Sequence, residues 1–124
     1  MFRLLTMRDR MTTSVPVRVG QVTRLRPEHR DAYLALHREV WPEVLATISE
    51  CNISNYSIYE RDGLLFSYFE YTGRDWEADT AKMAADPTTR RWWEITDPCQ
   101  EPIAGHLGPT PWASMTEVFH HDQL

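Results

Sequence analysis

The chain has 124 residues, of which 42% are hydrophobic and 25% charged, with a formal net charge of -5. That length supports one modest core rather than two, and the composition is that of an ordinary globular domain. Scattered arginines on an acidic chain argue against a nucleic-acid partner, which would need clustered Lys and Arg, and no apolar run is long enough to span a membrane.

Residues 1–14 place Arg3, Arg8 and Arg10 around a short apolar patch, without the apolar h-region and cleavage site of a signal peptide. They read as a disordered leader ahead of a single domain over 15–124, with Met11 as an alternative start. Cys51 and Cys99 form no CxxC and no metal spacing. Two unpaired thiols in a reducing cytoplasm are the plain reading.

Within 17–25, Val17, Val19 and Leu25 alternate with polar residues, which predicts a strand with one buried face. Pro27 ends it and suits the first turn of a helix. The spacing predicts a helix over 28–40, with Ala32, Ala35 and Leu36 as its buried stripe. Pro42 disfavours helical geometry at Trp41, so the helix kinks or restarts there and Val44, Leu45 and Ile48 continue its apolar side. Residues 53–60 and 64–71 are rich in Ile, Tyr and Phe and predict two strands, joined at Asp62-Gly63 by a turn that glycine favours. Thr72 fits an N-cap with Asp75 three residues on, opening a helix whose Trp76, Thr80, Met83 and Ala84 share a face. Asp86-Pro87 restarts a second helix as cap and first position. Residues 97–112 hold four prolines and two glycines and read as a loop, and 114–120 as a final strand.

The order βαββαβ is the ferredoxin-like split motif, an α+β fold with an antiparallel sheet and both helices on one face. Tyr56, Tyr68 or Tyr71, and Phe69 are candidates for the other sheet face, which a second subunit could cover.

Tyr33 and His37 stand four residues apart, so they neighbour each other on one helix face, on a stripe separate from the alanines. Histidine exchanges protons near neutrality, and a tyrosine beside it can hold a tautomer or orient a substrate hydroxyl. The plain alternative is a half-exposed pair with no role. Trp92 and Trp93 point about 100° apart on a helix, so one can pack in the core while the other faces a cavity. Indole faces suit the C–H faces of a sugar, although both could equally be core or interface residues. Arg90 and Arg91 read as solvated or dimer-contact charges. Tyr56 sits mid-strand, pointing opposite to Asn55 and Ser57. Five histidines show no metal-ligand spacing, and His120 and His121 diverge. No glycine-rich phosphate loop or nucleophile elbow is present, and Ser114 and Cys51 lack any sign of activation.

Taken together, Pro27, Tyr33, His37 and Trp41-Pro42-Glu43, then Asn55-Tyr56-Ser57-Ile58-Tyr59, Leu64-Leu65-Phe66, Arg91-Trp92-Trp93 and Glu117-Val118-Phe119 resemble the L-rhamnose mutarotase family over residues 17–120. The resemblance implies a homodimeric α+β barrel in the cytoplasm. It implies interconversion of the α and β anomers of a deoxy-hexose, L-rhamnose or a relative such as L-fucose, with no cofactor or metal. It puts the proton donor on His37 and substrate contacts on Tyr33, Tyr56, Trp92 and Trp93. The base stays open among Glu43, Tyr33, a water, and His37 acting twice. The leader, a longer 80–90 segment and the 97–112 loop depart from the rhamnose enzymes, which leaves the sugar open. The rival readings are a haem-handling or oxygenase dimer, on fold analogy alone, and a non-enzymatic binding module.

Overall fold

The computed structural model describes residues 16–122, so the expectations for 1–14 and Met11 lie outside the described residues. The elements are β1 (Val17–Leu25), α1 (Arg30–Arg38), α2 (Pro42–Glu50), β2 (Ile53–Arg61), β3 (Leu64–Tyr71), α3 (Trp76–Ala85), α4 (Pro87–Thr96), β4 (Gln100–Glu101) and β5 (Ala113–Ser114). Single 3-10 turns precede α1 and follow α4. The sheet order is β2-β3-β1-β4, with β5 also on β1 and every pairing antiparallel. This is the expected ferredoxin-like βαββαβ arrangement, with each helix of the motif broken into two short helices.

The alternation of β1 holds: Val17, Val19, Thr23 and Leu25 are buried, as are Leu65, Ser67, Phe69 and Tyr71 on β3. These residues form the sheet face under the helices. The turn at Asp62 (φ 53°) and Gly63 (φ 80°) places both residues in the left-handed region, as a two-residue hairpin requires. The helix break is also as expected. Residues 39–41 leave helical geometry and Pro42 opens α2.

Several expectations change. The buried side of α1 is not Ala32-Ala35-Leu36; both alanines are exposed, whereas Tyr33 is 2% exposed. A methyl-sized group contributes about 0.8 kcal/mol on burial and a large ring about 2–3 kcal/mol, so the aromatic stripe decides which way the helix faces. The cap of α3 is Asp75, whose carboxylate accepts from the Ala78 N–H at 3.0 Å, and not Thr72. Thr72 instead donates to the Asn52 carbonyl. On α3, Ala84 is exposed while Trp76, Thr80 and Met83 turn inward. The 97–112 loop contains the two-residue β4, which pairs with the end of β1.

Tyr56, Tyr71 and Phe69 lie on the helix side of the sheet, and only Tyr68 is on the outer face. For Tyr56 the reason is a bulge. Ser54 pairs with Glu70 and Ser57 with Tyr68, so Asn55 and Tyr56 together oppose Phe69. Asn55 takes φ 49° and sends its side chain to Glu70 at 2.8 Å. The extra residue reverses the alternation set by Ile53 and turns Tyr56 onto Phe69, with ring centroids 5.6 Å apart.

The final strand is also shorter than expected, Ala113–Ser114 rather than 114–120. The Met115 N–H still reaches the Gly20 carbonyl at 2.8 Å. Beyond it, Arg18 holds Glu117 through a paired contact at 2.7 and 3.0 Å, so a side-chain clamp replaces the ladder.

Two apolar clusters divide the core. Val17, Val19, Ile53, Phe69, Tyr71 and Trp76 form one, and Leu25, Tyr33, Leu65 and Cys99 the other. Between them the sheet carries Gln21 opposite Ser67, a polar rung under the helices. Cys51 and Cys99 are buried free thiols, as expected.

Candidate active site

Four aromatic rings meet where α1, the head of α2 and α4 come together. Tyr33 stacks on His37 with centroids 4.1 Å apart and planes at 30°. His37 meets the edge of Trp92 at 5.4 Å, and Trp92 meets Trp41 at 5.1 Å. The i, i+4 spacing on α1 produces the first contact. The second requires α4, which Asp86 starts by accepting from the Thr89 N–H and hydroxyl, each at 2.8 Å. Pro42 places Trp41 at the head of α2, where the chain turns toward Trp92.

His37 Nδ1 lies 2.8 Å from the Tyr33 carbonyl oxygen. A carbonyl only accepts, so Nδ1 carries the proton of the neutral ring and Nε2 carries the lone pair. Burial lowers the His37 pKa below its ordinary value, and the hydrogen bond to the Tyr33 backbone opposes that in part. At neutral pH the ring is therefore an uncharged base.

The Tyr33 phenol is shifted the other way. Burial raises its pKa, the hydrogen bond from Gln100 lowers it, and the neighbouring Tyr56, Cys99 and Asp97 push it up again. The phenol keeps its proton throughout the physiological range. Gln100 Nε2 donates to it at 3.3 Å, so the phenol oxygen accepts there and its own O–H is available for another partner. Tyr56 is 43% exposed along its ring on the edge strand, but desolvation at its hydroxyl end raises its pKa. Desolvation also raises the Asp97 carboxyl.

Of the candidate residues, Tyr33, His37 and Trp92 come together, and Tyr56 lies within electrostatic reach of Tyr33. Trp92 is the buried member of its pair at 6% exposure; Trp93 is half-buried on the adjoining face, outside the ring stack. Arg90 and Arg91 are exposed. Glu43 is exposed on the first turn of α2. Sequence reasoning did not single out Gln100 or Asp97. Both follow α4 in a proline-rich stretch with no periodicity, and only folding brings that stretch under Tyr33. No group of three or more His, Cys, Asp or Glu among the described residues is arranged to hold a metal ion. No helix among them is long and apolar enough to cross a membrane.

The family model described as L-rhamnose mutarotase matches residues 18–121. The L-rhamnose mutarotase of Oceanobacillus iheyensis is 31% identical over 107 residues, covering 85% of this chain and 98% of that protein. The one from Sinorhizobium medicae is 36% identical over 108 residues, covering 78% and 90%. The crystal structure of an L-rhamnose mutarotase from Formosa agariphila superposes with a TM-score of 0.65 at 21% identity, over 86% of this chain and 99% of that one, and so shares the fold. With the match extending over nearly all the described residues, the chain belongs to the L-rhamnose mutarotase family.

Proposed function

We propose that the protein interconverts the α and β anomers of L-rhamnose, using His37 and Tyr33 as its proton-exchanging pair. Family membership supports the reaction, and one observation supports the roles. His37 offers an uncharged Nε2 lone pair, while the phenol stacked against it keeps its proton.

Nε2 of His37 takes the proton of the anomeric hydroxyl as the bond from C1 to the ring oxygen breaks. The ring oxygen receives a proton from the Tyr33 phenol, directly or through a water. C1 becomes an aldehyde carbon, rotates about its bond to C2, and the liberated hydroxyl adds to its other face as both protons return. Nothing is oxidised or reduced, so these steps need no cofactor. General acid–base help of this kind supplies about 10²–10⁴-fold. Trp92 walls the site beside His37, and Trp93 and Tyr56 complete its contacts with the sugar.

The outer sheet face supports a homodimer. Val118, Phe119 and Tyr59 are 92%, 80% and 67% exposed there or beside it, and covering such side chains favours association. Two free buried cysteines fit a cytoplasmic setting. Magnetisation-exchange NMR tests the activity: micromolar protein speeds anomer exchange of L-rhamnose, and L-fucose in the same panel identifies the sugar. No acceleration with any deoxy-hexose sinks the proposal.

A further inference from the structure

Gln100 is 7% exposed, and its Oε1 has no hydrogen-bond partner. An unmet buried amide oxygen is costly enough that folded proteins rarely keep one without a reason. The other end of the same amide donates to Tyr33 Oη at 3.3 Å, so the unmet oxygen sits beside the phenol of the ring stack. Turning the amide over exchanges the two ends without removing the problem. Oε1 then accepts from the phenol and Nε2 is left unmet.

Tyr33 accepts from Gln100, and its own O–H serves the ring oxygen in the proposed reaction, so the group left open beside it is the acceptor on Gln100. A free acceptor matches an alcohol, which can donate its own proton to it. An ionised carboxylate or phosphate has no proton to donate there, and an apolar group has none either. β4 fixes Gln100 in place by pairing it with Leu25.

We propose that the amide of Gln100 binds one non-anomeric hydroxyl of the sugar and thereby sets which sugar the site accepts. This rests on the mutarotase reading for the class of ligand, and binding is measured separately from exchange so that the two can fail independently. The probes are L-rhamnose and its 2-, 3- and 4-deoxy analogues, titrated by calorimetry into wild-type protein and Gln100→Leu. In wild type, one analogue binds at least about tenfold more weakly than L-rhamnose, because it leaves the amide unpaired. In Gln100→Leu, L-rhamnose weakens to match that analogue and the other analogues keep their relative order. Wild type that binds every analogue as tightly as L-rhamnose overturns the proposal whatever the variant does. So does a folded Gln100→Leu that keeps the wild-type ranking. Binding with this pattern but without anomer exchange overturns the enzymatic reading and leaves the Gln100 assignment standing.

Discussion

The Nδ1 of His37 is bonded to the backbone oxygen of Tyr33, four residues earlier on the same helix, at 2.8 Å. The contact fixes both the ring's orientation and its tautomer, because only a protonated Nδ1 can satisfy a carbonyl. His37→Asn should therefore lower kcat for anomer exchange by about 10²–10⁴-fold, with sugar affinity nearly unchanged. An affinity lost in step with kcat would make His37 a binding residue instead.

The same histidine sets a pH dependence. Its folded pKa lies below 6.5, held down mainly by burial. Above 6.5 the ring is neutral in folded and unfolded chains alike and contributes nothing to the difference. As pH falls below 6.5 the unfolded chain binds the proton first, so stability is lost down to the folded pKa. Exchange activity should hold level across neutral pH and fall on a limb whose midpoint is below 6.5. Thermal melts of wild type against His37→Asn check the stability part, where the variant loses less on acidification. A rate that rises as pH drops below 6.5 would contradict a neutral base.

Tyr33→Phe keeps the buried ring but removes the atom that Gln100 Nε2 reaches, leaving both ends of a buried amide unmet. The expected cost is about 1–3 kcal/mol in denaturant unfolding, together with a lower kcat. Tyr33 and Tyr71 also have pKa values raised chiefly by burial. Their contribution is complete below 10 and is lost as pH climbs from there through the folded values. The Tyr33→Phe variant should accordingly lose less stability than wild type in that alkaline range.

The start of α3 distinguishes two caps. Asp75→Ala removes an acceptor from the Ala78 N–H and should cost about 1 kcal/mol, while Thr72→Ala, losing one exposed bond to Asn52, should cost less. Equal losses in urea unfolding would argue for the capping that the sequence suggested. Gly73→Ala should cost more than Thr72→Ala, because the added carbon would run into the Tyr71 phenol and the Asp79 carboxylate, which are bonded to each other at 2.5 Å.

Assembly is checked by sedimentation. The wild type should run as a dimer, and Phe119→Asp should shift it toward monomer by placing a charge on a ring that is 80% exposed in the single chain. Wild type that stays monomeric at working concentration rules out the dimer.

Local signals in the sequence determined much of this protein. The alternation along 17–25, the Asp62-Gly63 turn, Asp86-Pro87 opening a helix and the break at Pro42 are all present in the structure, because backbone sterics and neighbouring side chains decide each of them within a few residues. The Tyr33–His37 pair was legible for the same reason: four residues on a helix make neighbours wherever the helix docks.

Only the tertiary structure decided what depends on competition between surfaces. The helix carrying Ala32 and Ala35 turned its aromatic side inward, since one tyrosine ring has more apolar area to remove from water than two methyl groups. Tyr56 reached the helix side through a bulge at Asn55, which strict strand alternation does not foresee. Gln100 and Asp97 are separated from Tyr33 by more than sixty residues and share no period with it. They came near it when β4 closed on the end of β1, Gln100 within hydrogen-bonding range and Asp97 within electrostatic reach, because only the folded chain brings such distant residues together.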